Sequence, residues 1–323
     1  MLMDRSRKVV CIGAGLQDVF LRGNIFKPHH EHGQLVEEFK LGTKQNVEGV
    51  VFTTGGGASN AAVTFARAGL YSCFMGRIGH DSAGSAVMDE LHREDVDTSL
   101  ARYTQDNTGL SVVLLAPDGE RTILTYRGTS SAPDLHDSDL HHLDADWFYI
   151  SSLDGDFATL ERLINYAFEN KTKVAINPGA AELARPEMLK NLLSKVELLC
   201  LNKEEMKQLF RAEHLEHLAQ AAAILVPVVA VTDGSNGVAV CDGKQLIVAG
   251  LYEDVPALDR TGAGDAFASG FTAMIANGET LTRAVVFGSA NATSVVGKIG
   301  AKAGILKRHA NLHAMPMQLR ERA

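Results

Sequence analysis

DRTGAGDAFASGF, residues 259–271, decides the reading of this 323-residue chain. Gly262 and Gly264 flank Ala263 in a flexible turn that runs straight into Asp265 and an amphipathic helix. Glycine lets a backbone come close to a ligand, and the amides of residues 261–265 project from a helix N-terminus, where partial positive charge favours an anion. Such a turn can hold a phosphate. A carboxylate at the same spot would repel that anion, which makes sense if Asp265 acts on a proton. Within reach of a phosphoryl group and an alcohol, it can take the alcohol's proton as the oxygen attacks. The alternative is a plain capping role, since Asp is favoured at helix starts.

Composition frames this chemistry. The chain is 46% hydrophobic with a net charge of −8, enough apolar residue for a packed core in one large α/β unit or two smaller ones. The acidic balance argues against nucleic acid or an anionic membrane as the main partner, yet leaves room for phosphates held by amides and a metal. Residues 1–8 are short and polar, so no signal peptide is expected, and no apolar run nears the length of a membrane span. Cys11, Cys73, Cys200 and Cys241 lie far apart without a C-x-x-C pair, which suits reduced thiols and a cytoplasmic protein.

Strand-like and helical runs alternate, the pattern of a parallel sheet covered on both faces. Strands are expected at 8–14, 72–77, 147–151, 173–177, 196–201, 228–232, 237–241 and 245–249. Helices are expected at 58–68, 82–93, 157–170, 187–193, 266–277 and 281–295. Two stretches, about 18–52 and 108–130, break the rhythm and lack a crossover helix. The second holds a hairpin signal, with Pro117-Asp118-Gly119 between two strand-like runs. Both are expected to form a small β lid beside the main sheet.

The segment 259–271 resembles the C-terminal signature of the ribokinase-like PfkB carbohydrate kinases, and GGGASNAA at 55–62 resembles their N-terminal signature. Between them, GRIGHD at 76–81 with Gly84 is similar to the family's G-x-x-G-x-D-x-x-G step. NKEE at 202–205 is similar to its N-x-x-E motif. The resemblance runs from about residue 8 to about residue 304. It implies a single kinase domain over 1–323 with the ribokinase-like three-layer αβα fold, a mostly parallel central sheet and a small antiparallel β lid. It also implies ATP and Mg²⁺ as cofactors.

Three glycines before a helix, followed by Asn60, suit close approach of a polyol, so Gly56, Gly57 and Asn60 are candidate acceptor-binding residues. Asp18 follows the first strand at the sheet edge where α/β proteins bind ligands, and by resemblance it is the substrate-binding aspartate. Gly13-Ala14-Gly15 does not make a dinucleotide fingerprint, because Asp18 stands where the third glycine belongs. No G-x-x-x-x-G-K-[ST] loop occurs, so charge on the transferred phosphoryl group must fall to Gly262, Ala263 and Gly264, to Mg²⁺ and to scattered donors. By resemblance, Asn202 and Glu205 organise Mg²⁺ and its waters; as an isolated pair they read equally as a helix cap.

Thr232, Gly234 and Gly237 are similar to the family's T-x-G-x-x-G nucleotide loop, although a hairpin turn explains them as well. Asn291 matches the position that faces adenine in relatives. Asp259 and Thr261 match a monovalent cation site, which implies K⁺. Arg121 and Arg127 resemble the lid of fructokinase-like and ketodeoxygluconate-kinase-like members more than that of ribokinase, and would suit an acidic or phosphorylated sugar. A nucleoside acceptor carries the same signatures, a non-catalytic sensor on this scaffold is a further reading, and the lid's exposed strand edges invite a homodimer.

Overall fold

The computed structural model describes residues 6–321, apart from 118, 119, 130–132, 134, 136–139, 141, 142 and 254. Asp118 and Gly119 of the expected hairpin turn therefore lie outside the described residues. In chain order the strands are β1 (Lys8–Ile12), β2 (Leu16–Arg22), β3 (His29–Glu31), β4 (Gln34–Val36), β5 (Gly49–Gly55), β6 (Tyr71–Met75), β7 (Arg77–Gly79), β8 (Arg102–Thr104), β9 (Gly109–Leu115) and β10 (Arg121–Tyr126). They continue with β11 (Trp147–Ser151), β12 (Lys173–Asn177), β13 (Leu198–Asn202), β14 (Val228–Thr232), β15 (Val238–Cys241), β16 (Gln245–Ala249) and β17 (Met317–Glu321). The helices are α1 (Gly57–Arg67), α2 (Ser82–Arg93), α3 (Phe157–Glu169), α4 (Ala180–Leu183), α5 (Pro186–Leu193), α6 (Lys203–Leu209), α7 (Leu215–Ala222), α8 (Ala263–Ala276) and α9 (Leu281–Val296).

The main sheet has nine strands in the order β17-β16-β15-β14-β13-β12-β11-β1-β6. Pairing is parallel from β6 to β14 and antiparallel from β14 to β17. The parallel strands are near-continuous apolar runs because both faces are covered. Alternation divides each run between two cores. Val9, Cys11, Trp147 and Tyr149 join α1, α8 and α9 on one face. Val10, Ile12, Phe148 and Ile150 join α3, α5, α6 and α7 on the other. The three expected layers follow from that alternation.

Strands from both irregular stretches meet in one four-stranded sheet, ordered β10-β9-β2-β5. Its outer pairs are antiparallel, but the joint between β2 and β9 is parallel, so the lid is mixed rather than fully antiparallel. The joint brings together two segments far apart in sequence, a pairing that no local turn signal could reveal. Helix α8 also starts three residues before the expected 266, so the Thr-Gly-Ala-Gly turn supplies the helix's own first turn. Strand β17 was not expected and extends the sheet edge against β16. No helix among the described residues is long and apolar enough to cross a membrane.

Candidate active site

The parallel strands β1, β11, β12, β13 and β14 place their C-terminal ends along one edge of the sheet, and the ligand-facing residues gather there. Gly262 caps α8 in the left-handed conformation, φ 78°. A Cβ there would lie 2.4 Å from the Ala301 Cβ, so the position is closed both conformationally and sterically. Gly264 differs, because a Cβ added to it meets nothing within 4 Å. First-turn amides of a helix lack intrahelical acceptors, so those of Gly264 and Asp265 remain available to an anion.

Asp265 follows in the first turn of α8 and accepts from Asn60 Nδ2 at 2.9 Å. That contact joins residues 205 positions apart and unites the two signature segments. Gly57 opens onto the other carboxylate oxygen, since a Cβ there would stand 3.8 Å from Asp265 Oδ1. Burial raises the Asp265 carboxyl above its ordinary value, against the hydrogen bond from Asn60 and the charge of Lys302. Asn60 is itself buried, and its Oδ1 has no hydrogen-bond partner, an acceptor left over for a ligand hydroxyl.

Asp18 lies on β2, buried and hydrogen-bonded to Ser111. Burial pushes its carboxyl up to about 6, with Lys302 opposing and Asp259 and Asp265 adding to the rise. Gly55 makes room for it, as a Cβ there would come within 2.2 Å of Asp18 Oδ2. Gly56 has φ 94° and faces the Ala14 carbonyl, which turns the chain from β5 into α1. Asp18, Gly56, Gly57, Asn60 and Asp265 thus lie close together.

Asn202 ends β13 and caps α6. Its Oδ1 accepts from the Glu205 amide at 2.9 Å while Glu205 Oε2 accepts from the Asn202 amide at 3.0 Å. The helix-cap reading of this pair is the one the structure shows. The capping box fixes it, and it still faces the site, since burial first and then the Asp265 charge raise the Glu205 carboxyl. The Asp265 charge raises the Glu205 carboxyl, and oxygen donors of this kind suit a hydrated hard cation, so Asn202 and Glu205 would hold Mg²⁺. Thr232 stands beside Asn202 in the β13–β14 register. Gly234 sits in a short 3₁₀ turn with open space around it, whereas Gly237, φ 99°, is required by the Ala249 carbonyl 2.1 Å from where its Cβ would be.

Two expected site residues are not brought to the ligand face. Asn291 is fully buried; its Nδ2 donates to the Ala266 carbonyl and its Oδ1 accepts from the Leu306 amide, each at 2.8 Å. Its amide is consumed in pinning α8, α9 and the segment at 306 together. Asn291→Ala leaves two buried backbone groups unpaired, so we expect a stability loss of about 2–4 kcal/mol with unchanged ATP affinity, read by denaturant unfolding and calorimetric titration. Arg121 pairs in register with Leu115, four positions along β9 from the Ser111 that faces Asp18, or about 13 Å. Arg127, past the other end of β10, does reach the rim, where it pairs with Asp154 at 3.0 Å.

Asp259 is buried, and among the described residues it accepts from the amides of Thr261 (2.9 Å) and Gly300 (3.0 Å) rather than from a cationic side chain. The Thr261 hydroxyl beside it is buried without a partner. Sequence reasoning missed Lys302, a buried ammonium that donates to the Thr54 hydroxyl at 2.7 Å. Its signal was a lone lysine in the small-residue run GAKAG at 300–304.

A buried carboxylate at a helix N-terminus, a run of glycines beside it and a second buried carboxylate suit an ATP-dependent phosphotransferase. Residues 31–308 match the pfkB family carbohydrate kinases, and the chain belongs to that family. A ribokinase from Haemophilus influenzae is 29% identical over 269 residues, 80% of this chain and 86% of that protein. Among solved structures, Arabidopsis thaliana ribokinase complexed with ribose and ATP superposes with a TM-score of 0.78 at 23% identity, covering 94% of this chain and 96% of that one. A Methanocaldococcus jannaschii nucleoside kinase superposes with 0.75 at 21% identity, covering 94% and 95%.

Proposed function

We propose that this protein transfers the γ-phosphoryl group of ATP to a hydroxyl of a small sugar, with Asp265 as general base, acting as a single domain in the cytoplasm. The observation that carries the proposal is the Asn60–Asp265 hydrogen bond beneath the open backbone of Gly264. Asp18 and the free Asn60 Oδ1 hold acceptor hydroxyls, and Gly56 and Gly57 let the ring approach. Asp265 takes the reacting proton through Oδ1 while its Oδ2 stays bonded to Asn60. The acceptor oxygen bonds to the γ-phosphorus, the bond to the bridging oxygen breaks, and ADP leaves. First-turn amides of α8 donate to the transferred group's oxygens. Mg²⁺, when bound near Asn202 and Glu205, neutralises phosphate charge.

The ribokinase relative makes ribose the first acceptor to test. Phosphorylated sugars are a less favoured class, since only Arg127 of the two lid arginines lies at the rim. A nucleoside acceptor is the second reading, supported by the near-equal fit to the nucleoside kinase structure. The test is ADP release by purified protein over a panel of sugars, sugar phosphates, sugar acids and nucleosides. Turnover with one acceptor class decides between the readings, and release with none sinks both in favour of a non-catalytic sensor.

We further propose that K⁺ is held near Asp259 and the unpartnered Thr261 hydroxyl. Replacing K⁺ by tetramethylammonium in the same assay is expected to lower turnover severalfold, and equal rates in the two salts refute the site. The exposed Phe52, Leu124 and Tyr126 on the lid support a homodimer through that sheet. A monomeric mass by light scattering at assay concentration would exclude it.

A further inference from the structure

Between β5, the edge strand of the lid sheet, α2 and the segment at 300–303 lies a cavity of about 420 Å³, within the size range of small-molecule sites. Its lining includes none of Asp18, Gly56, Gly57, Asn60 and Asp265, so it is not the acceptor pocket described above. Its walls carry hydrogen-bonding capacity that the protein leaves unspent. Lys302 lines it, is 4% exposed, and donates from its ammonium to the Thr54 hydroxyl at 2.7 Å. Thr54 donates in turn to Glu90 Oε2. That oxygen stands 3.9 Å from the ammonium, beyond hydrogen-bond reach. An ammonium has three N–H donors, so two of them have no acceptor among the described residues, an unusual state for a buried cation. The Thr53 hydroxyl, also at the cavity, is buried without a partner.

Asp89 and Arg93 reach the cavity from the exposed side of α2. Arg93 Nε donates to the Asp89 carbonyl at 3.2 Å, whereas its terminal nitrogens, the Asp89 carboxylate and the Gln17 amide make no hydrogen bond among the described residues. Arg67 is fully engaged: it donates to Glu94 at 2.8 and 2.7 Å and to the Lys302 and Ile305 carbonyls. Charge around the cavity is balanced, with Lys302 set against Glu90, Arg93 against Asp89 and Arg67 against Glu94, so no net charge selects an ion. Unspent donors and acceptors share the same walls, and a hydroxyl both donates and accepts. Hydroxyls also reproduce the hydrogen bonds of any water they displace, which an apolar ligand cannot do. The Phe52 ring, 66% exposed at the cavity, offers an apolar surface to the C–H face of such a ligand.

We propose that this cavity is a second, non-catalytic binding site for a small neutral polyol, a sugar or a sugar alcohol. Its hydroxyls accept from the Lys302 ammonium and the Arg93 guanidinium and donate to the Asp89 carboxylate, and one of them pairs with the Thr53 hydroxyl. The site goes beyond the phosphotransfer reading and does not depend on it. Gly300 lines the cavity while its amide donates to Asp259, and the adjoining Ala301 packs beside Gly262, so the ligand rests against the segment that braces the glycine turn.

Backbone amide NMR of the labelled full chain, without nucleotide, reads occupancy residue by residue and needs no turnover. The probes are D-glucitol and myo-inositol, one flexible and one rigid polyol, with D-gluconate and inorganic phosphate as anionic counterparts. Saturable shifts at the amides of Thr53, Ala86, Gly300 and Ala303 are expected with at least one polyol. Ala86→Trp, which fills the cavity from α2, is expected to abolish them. Shifts that do not saturate, that are absent with both polyols, or that persist unaltered in Ala86→Trp overturn the proposal. Saturation by gluconate or phosphate alone also overturns it and makes the cavity an anion site. Should Ala86→Trp fail to fold, Arg93→Ala, on the exposed side of α2, replaces it and is expected to raise the polyol Kd about tenfold; an unchanged Kd counts against the site. Failure to release ADP with any acceptor would sink the phosphotransfer reading and leave these shifts in place.

Discussion

Asp265→Asn is expected to lower turnover by about 10²–10⁴-fold while leaving nucleotide and acceptor affinity within a few-fold of wild type. The substitution is nearly isosteric, and an amide oxygen at the Oδ2 position can still accept from Asn60. At the Oδ1 position, however, an NH₂ group replaces an oxygen that takes a proton. Stability at neutral pH should not fall. Because burial raises the Asp265 carboxyl, the folded state binds that proton more tightly than the unfolded chain does, and the ionised form weighs against folding above that value. Steady-state ADP release with calorimetric titration separates the two effects; near wild-type turnover would remove Asp265 from the role of base. The same raised values set the pH dependence of the wild-type enzyme. Asp18, pushed up to about 6, and Asp265 must both be charged, so the rate should hold above neutrality and fall as pH drops through that region.

Gly262→Ala is expected to lower both turnover and stability. A non-glycine residue in the left-handed conformation costs about 1–2 kcal/mol, and the added Cβ also lands on Ala301. Ala301 has little freedom to yield, since the adjacent Gly300 is bonded to the buried Asp259. Strain must therefore pass into the first turn of α8, where displacement by about 1 Å can cost 10²-fold in rate. We expect kcat to fall by about that factor and the melting temperature to drop by several degrees. Gly264→Ala is the matched control. Its Cβ meets open space, so stability is expected to hold, while the methyl obstructs phosphate approach and turnover declines. If Gly262→Ala melts and turns over like wild type, the turn does not depend on its left-handed cap.

The sequence was informative where one residue type meets a local physical demand. Glycines beside Asp265 marked a backbone that must bend and admit an anion, and GGG before Asn60 marked the same need at the acceptor. Strand and helix rhythm was legible because both faces of a buried parallel strand are apolar. Polar residues whose partners lie far along the chain were harder to read. Asn291 carries the family's expected residue at the expected position, yet its amide is spent on Ala266 and Leu306. Arg121 was grouped with Arg127 by nearness in sequence, and the strand register then separated them.

By itself, the sequence determined the αβα order of elements and the two glycine-rich signatures, and it singled out Asp265 as the carboxylate to test as the base. Each depends on backbone conformation and burial periodicity, which neighbouring residues largely set. Only the tertiary structure decided that Asn60 and Asp265 share a hydrogen bond, that the lid joins its halves through a parallel β2–β9 pair, and that the buried Lys302 bonds Thr54. Those relations depend on distances between segments up to 248 residues apart, from Thr54 to Lys302 (302 − 54 = 248). Electrostatic coupling is fixed by such distances and by burial, and neither is written in the local order of residues.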